Sequence, residues 1–233
     1  IDMINFLMAF QFNVAEHEDA NVIFNSAVSS RSIHELQSMP GVIYAEGYRI
    51  TPVRIHFGQK TKDTALTGYP QNLRLRRIMN SDFKSLRMPP EGLLLNVRLA
   101  EKLGARPGDT LMIEILEGER RTVPVQLAAV VEELLGAGAY MDIRTMNTLL
   151  REDSLISMAS VTVDPLVSES IYSRLRNFPM VATVDTKQAL LDVFQRMIGD
   201  MMTTMAIAMI AFASVIAVGV VYNMVNIIGL KIM

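Results

Sequence analysis

The sequence predicts an α+β protein: a split βαβ, ferredoxin-like domain that carries an inserted mixed β subdomain and is followed by a transmembrane α-helix. Three observations predict it. Two segments that begin at Val22 and Val161 match without a gap. About a hundred residues between them are punctuated by Gly and Pro in a different pattern. The thirty residues 201–230 hold no charged side chain between Asp200 and Lys231.

The first element, IDMINFLMAFQF (1–12), spaces its apolar residues in helical fashion and heads a membrane-proximal helix placed over 1–20. It is either the end of an upstream membrane element or a short amphipathic helix. The chain starts at Ile1 with no basic stretch ahead of an apolar one, so no signal peptide is visible and the sequence reads as a piece of a longer protein. AEHED (15–19) sets Glu16, His17, Glu18 and Asp19 side by side, where neighbours point in different directions; a solvated charged turn is expected rather than a metal site.

The split domain is read over 21–52 and 156–187. VIFNSAVSSRSIHELQSMPGV (22–42) lies over VTVDPLVSESIYSRLRNFPMV (161–181) with six of twenty-one positions identical. Average residue usage would give about one or two. Each copy starts with a β-rich stretch and a turn at Asn25 or at Asp164-Pro165, then Ser29 or Ser168 as a helix N-cap. Ile33, Leu36 and Met39 correspond to Tyr172, Leu175 and Phe178, an apolar stripe meant for a sheet, before Pro40 or Pro179 ends the helix. VIYAEGYRI (42–50) and VATVDTK (181–187) follow as second strands. Two βαβ units in one chain give four strands with two helices on one face.

The inserted subdomain is read over 53–155. GLLLNVRLAEKLGARPGDTLMIEIL (92–116) reads as a strand, a helix from Val97 to Leu103, a turn at Arg106-Pro107-Gly108-Asp109 and a strand from Thr110 to Leu116. GERRTVPVQLAAVVEEL (118–134) adds a hairpin turn and a strand, and AYMDIRTMNTLLRE (139–152) a helix capped by Asp142.

The last element, over 188–233, joins a connecting helix to the membrane helix. QALLDVFQRMIGD (188–200) carries an apolar stripe at Leu190, Leu191, Phe194, Met197 and Ile198 and runs on into the span without a break. The run after it exceeds the roughly 20 residues that cross a bilayer core of about 30 Å, and apolar or small residues occupy every face, unlike a buried core helix. Ala213 and Ala217 form a small-xxx-small pair, and Asn223 and Asn226 share a face, so these four are the candidate helix-helix packing residues. Tyr222 suits an interfacial belt.

Composition excludes several function classes. Net charge is −2, which presents no field for a nucleic acid, and cysteine is absent, which removes disulfides, thiolate metal sites and cysteine nucleophiles. His17, His34 and His56 are scattered, GQKT (58–61) lacks the glycine five residues earlier that a phosphate loop needs, and no Gly-x-Ser-x-Gly elbow occurs. Catalytic, cofactor-binding and metal residues are therefore expected to be none. Arg74, Arg76, Arg77, Lys84 and Arg87 form a basic patch without aromatic neighbours, read as a solvated face or as a contact for an anionic lipid or partner. Met79, Met88 and Met112 are candidates for an adaptable apolar surface.

In order along the chain, FQFNVAEHEDANVIF (10–24), LQSMPGV (36–42), EGYRITPVRI (46–55), PPEGLLLNVRLAEKLGARPGDTLMIEI (89–115) and VIAVGVVYN (215–223) resemble the FtsX-like, MacB-type permease subunits of ABC transporters. The resemblance covers residues 10–223. It implies a porter-like split βαβ repeat with an inserted subdomain, standing outside the cytoplasm between membrane helices of a multi-pass protein in the cell membrane, with 13–195 extracytoplasmic. It implies a separate ATP-binding subunit that hydrolyses ATP, a second permease copy, membrane lipid around the helix and an extracytoplasmic adaptor. It implies mechanical motion that moves or extracts a lipid, lipoprotein, peptide or drug. After VVYN the family continues into a charged stretch, whereas this chain reads MVNIIGLKIM (224–233), and the coupling segment is not located. The alternative is the ligand-sensing ectodomain of a membrane receptor.

Overall fold

The computed structural model describes residues 17–76, 88–132 and 138–230. They divide into two units, Ile1–Lys187 and Gln188–Met233.

In the first unit, β1 (Ala20–Ser29), α1 (Ser32–Ser38) and β2 (Val42–Phe57) form one βαβ unit. After the inserted strands, β8 (Leu155–Val163), α4 (Ser168–Arg176) and β9 (Val181–Thr186) form the second. Their strands lie in the order β2-β8-β1-β9 with every neighbouring pair antiparallel, which is the split βαβ arrangement. Alternation supplies the buried face: Ala20, Val22, Phe24, Ala45, Val161, Val163 and Val184 pack with Leu36, Ile171, Tyr172 and Leu175 of the two helices.

The hydrogen-bond register repeats as faithfully as the sequence. The β2–β8 pairs Val42 with Val163, Tyr44 with Thr162, Ala45 with Val161, Glu46 with Ser160 and Gly47 with Ala159 have five images in the β9–β1 pairs. These are Val181 with Phe24, Thr183 with Ile23, Val184 with Val22, Asp185 with Asn21 and Thr186 with Ala20. Even the bulge recurs, at Ile43 and at Ala182. The Asn21–Ser160 pair is its own image, so the pseudo-twofold axis passes between these residues, and there the Ser160 hydroxyl donates to Asn21 Oδ1. The Asp164 amide donates to the Gly41 carbonyl at 2.8 Å, and its image, Asn25 to Met180, at 2.9 Å.

Two features of the repeat differ from expectation. Neither Ser29 nor Ser168 caps a helix with its side chain: Arg31 and Val167 occupy the N-cap positions, and the Ser168 hydroxyl donates to the Pro165 carbonyl at 3.2 Å. Phe178 leaves the stripe and is exposed, because α4 ends at Arg176, two residues before it.

The intervening chain builds β3 (Lys60–Tyr69), β4 (Leu93–Asn96), α2 (Val97–Leu103), β5 (Thr110–Ile115), β6 (Thr122–Val131), β7 (Ala139–Asp142) and α3 (Ile143–Leu150). Their local chemistry follows the sequence. Asn96 caps α2 by accepting from the Arg98 amide at 2.9 Å, and Gly104 ends it at φ +78°, a left-handed conformation that costs glycine nothing. Asp142 caps α3, accepting from Arg144 at 2.8 Å and Thr145 at 3.3 Å. Asp142→Ala should therefore lower stability by about 1 kcal/mol, read as a reduced melting temperature of the purified protein; an unchanged melting temperature would contradict that role.

Pairings β2–β3, β3–β7, β7–β4, β4–β6, β6–β5 and β5–β2 return to their starting strand, so six strands close into a barrel. Val53, Ile55, Leu66, Leu93, Leu95, Leu111, Ile113, Leu127 and Met141 are fully buried inside it, and each such side chain contributes about 1.5–3 kcal/mol of apolar transfer. Closure removes the free edges that an open inserted sheet would present. One strand, β2, belongs to both sheets: Val42–Tyr48 pair with β8, and Arg49–Phe57 pair with β3. A third cluster, with Tyr48, Tyr69, Met88, Leu94, Val131 and Met158, packs where the two sheets meet. There the Tyr48 ring meets Tyr69 edge-on at 5.1 Å.

The second unit is the body of α5 (Lys187–Leu230), a single helix of 44 residues. At 1.5 Å per residue it is about 66 Å long, twice a bilayer core. Among the described residues, Lys187–Ser214 is one helix long and apolar enough to cross a membrane, with mean hydropathy 1.5 and none of that stretch buried. Met205, Ile207, Met209, Ile210 and Phe212 are all exposed. The hydroxyls of Thr203, Thr204 and Ser214 donate to the carbonyls of Gly199, Asp200 and Ile210 at 2.8–2.9 Å, which satisfies them within the helix as a hydrocarbon environment requires. The connecting helix and the apolar run are continuous, as the sequence predicts.

Candidate functional site at the shared strand

The sequence VIYAEGYRITPVRIHF is rich in β-branched and aromatic residues, and its alternation keeps it extended through both sheets. At the crossing from one sheet to the other stands Arg49, with only 2% of its surface exposed. Its Nε and Nη2 donate to the two carboxylate oxygens of Glu152 at 2.7 Å each, a two-pronged pairing with the shortest charge-assisted geometry. Nη2 also reaches Glu117 at 3.3 Å, and Nη1 donates to the Ile50 carbonyl at 2.8 Å. Burial alone would lower the guanidinium pKa; the hydrogen bond and charge of Glu152, then those of Glu117, outweigh it and raise the pKa.

Each partner is placed by its own local rule. Glu152 follows Arg151, which ends α3 in a left-handed conformation at φ +57°, and its amide donates to the Asn147 carbonyl at 2.9 Å. Glu117 precedes the Gly118 turn between β5 and β6 and also accepts from the Thr51 hydroxyl at 2.7 Å. The Ile50 amide donates to Ser157 Oγ of β8 at 2.8 Å. One guanidinium thus ties the shared strand to the end of the barrel's helix and to a barrel turn, and its neighbour ties the same strand to β8.

A second buried cluster lies on the sheet face away from α1 and α4. Glu46 of β2 accepts from the Arg74 and Leu75 amides at 3.0–3.3 Å and from the Tyr48 hydroxyl at 3.1 Å. Burial pushes the Tyr48 phenol far above the usual tyrosine range, and the Glu46 carboxylate adds to this, so Tyr48 remains a neutral donor. Glu18, 4% exposed, pairs with Arg76 at 2.8 Å, and the Asp19 carboxylate accepts from the Val163 amide at 2.9 Å. Glu18 and Asp19 of AEHED, expected in a solvated turn, are therefore anchors, while Ala15 and Glu16 lie outside the described residues. The reason is long-range: partners more than fifty residues away supply the donors. The Arg74 and Arg76 guanidinia lie 5.5 and 6.0 Å from the ring centres of Tyr44 and Tyr48, so these two members of the basic patch have aromatic neighbours after all, brought by β2. Arg77, Lys84, Arg87 and Met79 lie outside the described residues, as does most of the helix expected over 1–20.

The remaining polar candidates are spread across separate elements. His56 bonds Thr61 and Glu114 at 3.1 and 3.0 Å, His34 stands on α1, and GQKT is the β2–β3 hairpin with Gly58 at φ +58°. No group of three or more acidic or histidine side chains suited to a metal ion occurs among the described residues. Met88 is buried and Met112 is partly exposed. Of the candidate packing residues, Ala213 and Ala217 are exposed on α5, while the side chains of Asn223 and Asn226 lie outside the described residues. Arg49 itself carried no motif in the sequence. Its only signal was a charged residue inside an otherwise strand-forming run, at a position the alternation would bury.

No protein-family model and no curated protein matches this chain. Among solved structures it is similar to the extracellular domain of the noncanonic ABC-type transporter YknZ from Gram-positive bacteria, at 16% identity over 72% of this chain and 98% of that one, with a TM-score of 0.45. It is also similar to the periplasmic region of MacB from Actinobacillus actinomycetemcomitans, at 10% identity over 81% of this chain and 98% of that one, with a TM-score of 0.49. The fold described above rests on this chain's own strand order and register.

Proposed function

We propose that this chain is the outer domain and following membrane helix of a permease subunit of an ABC transporter, and that it handles force rather than bond-making. The observation that carries this reading is at Thr186–Lys187. The last strand of the repeated sheet passes with no loop residue into a helix long enough to cross a bilayer with a further stretch to spare. A continuous helix carries a displacement along its axis, because bending it sharply requires a proline, a bulge or a broken hydrogen-bond ladder. The buried Arg49 brace then holds the barrel to the same sheet, so that a pull on β9 moves both lobes, read as 21–52 with 156–187 and as 53–155.

In this reading residues 13–195 stand outside the cytoplasm and the subunit is multi-pass. Ala213, Ala217, Asn223 and Asn226 pack against neighbouring helices of the same or a second copy. ATP is hydrolysed on a separate subunit, and the cargo is a lipid, lipoprotein, peptide or drug met at the outer face, with or without an adaptor. The sequence resemblance supports these assignments. Purification of the tagged protein from membranes of its host tests them: an ATP-hydrolysing partner should accompany it, and the ATPase activity should fall when residues 21–187 are deleted. Recovery of the chain with no ATPase would overturn the permease reading in favour of a sensor.

A further inference from the structure

The chain enters β1 and leaves β9 at the same end of the sheet, where Ala20 pairs with Thr186. His17, Glu18 and Asp19, just ahead of β1, gather bonds from three directions there. The Asp19 amide donates to the Val161 carbonyl at 2.9 Å and its carboxylate accepts from the Val163 amide at 2.9 Å, so both hold the end of β8. Its carbonyl accepts from the Lys187 amide at 2.9 Å. Lys187 is the first residue of α5, and amides in the first turn of a helix have no partner inside it, so this bond fixes the root of α5 directly.

The two residues before Asp19 hold the chain that has left the barrel after β3. Glu18 Oε1 accepts from Arg76 Nη2 at 2.8 Å and Nε at 3.2 Å, and the His17 amide donates to the Leu75 carbonyl at 2.7 Å. Leu75 is itself buried, with its amide on the Glu46 carboxylate of β2 at 3.0 Å. Burial of Glu18 spares its pair with Arg76 much of the salt screening that weakens surface ion pairs. Consecutive residues have little slack, so a shift of Asp19 is met at once by bonds that Glu18 and His17 already make. None of these bonds involves Arg49, Glu117 or Glu152.

We infer that His17, Glu18 and Asp19 form a coupling node, through which a displacement of the root of α5 reaches the Leu75–Arg76 segment behind the barrel by a route separate from the Arg49 brace. Glu18 and Asp19 are positioning residues in this role. The coupling is a free energy shared between the two ends, so a change at either end is felt at the other. Only the source of the displacement rests on the permease reading; the coupling itself does not require it.

Amide exchange, resolved residue by residue in the full chain in lipid nanodiscs, tests the node from both ends. Lys187→Pro removes the amide that bonds Asp19 and leaves the helix ladder intact, because proline is tolerated at a first helical position. Lys187→Ala controls for loss of the side chain. Exchange at the His17 amide should accelerate about fivefold in Lys187→Pro and stay unchanged in Lys187→Ala. From the other end, Glu18→Ala should accelerate exchange at the Lys187 amide about fivefold, although the two residues make no bond with each other. The Asn25 amide, which donates to Met180 at the far end of β1, should keep its protection in every variant, which separates the node from a general loss of stability. Unchanged exchange at the reporting amide in either Lys187→Pro or Glu18→Ala, equal acceleration in Lys187→Ala, or equal acceleration at Asn25 would overturn the inference.

Discussion

Arg49→Ala is expected to lower the unfolding free energy by about 3 kcal/mol, the low end of the range for breaking a buried ion pair. The low end applies because Glu152 and Glu117 are 21% and 45% exposed and regain water when the guanidinium is removed. The larger part of the loss belongs to the groups left behind: the Ile50 carbonyl loses a 2.8 Å donor, and two carboxylates face one another near Thr51. Arg49→Met combined with Glu152→Leu should recover much of it, because an apolar pair of similar volume removes the unmatched charge. Denaturant unfolding followed by tyrosine fluorescence measures both. If Arg49→Ala unfolds at the unmodified midpoint, the brace is not structural.

The second large effect belongs to α5. Arg196→Pro should abolish any ATP-dependent motion of the outer domain while leaving its fold intact. Proline at this position removes an amide from the ladder and drives its ring against the carbonyl of Asp192, at a cost of about 3 kcal/mol in an unbroken helix. The Arg196 side chain donates to that same carbonyl at 3.2 Å, so Arg196→Ala separates loss of that bond from loss of continuity. A nitroxide at the fully exposed Leu166 reports the motion. A nucleotide-dependent change should persist in Arg196→Ala and vanish in Arg196→Pro; persistence in both would show that force does not pass along the helix.

Much of this fold was legible in the sequence because its signals are local or repeated. The duplication carries its own register. Six identities at a fixed offset were enough to align Val22 with Val161, and strand pairing then follows the same offset down to the bulge. The helix at Val97–Leu103 and the cap at Asp142 were legible because glycine, asparagine and aspartate act on the backbone within a few residues. Closure of the barrel was not. It depends on β3 pairing in parallel with β7 across some seventy residues, and short strands with similar alternation fit several partners. For the same reason the extension of β2 through both sheets was hidden, since EGYRITPVRI reads as one strand wherever its neighbours lie.

Of the site elements, the long apolar helix was legible in the sequence; helix packing by Ala213, Ala217, Asn223 and Asn226 remains a proposal. Arg49, Glu152 and Glu117 are separated by 68 and 103 positions and belong to no motif. Arg74 and Arg76 read as solvated because the tyrosines they cover and the acid that pairs with Arg76 come from distant strands. Ser29 and Ser168 satisfied the rule for a helix cap, but the first helix starts two residues later, with Arg31 at the cap, and the second one residue earlier, with Val167 at the cap and Ser168 inside the helix.

A nitroxide scan of α5 tests most directly whether an apolar helix in lipid continues from the repeated sheet. The chain has no cysteine, so single cysteines can be placed one at a time from Lys187 to Ser214 without a competing thiol. In reconstituted vesicles, access to a water-soluble relaxant should be high from 187 to about Asp200 and fall beyond it, while access to oxygen rises. A single helical period should run through the whole scan without a phase break. Aqueous access that stays high through Met205–Phe212, or a break in the period between Lys187 and Asp200, would contradict it.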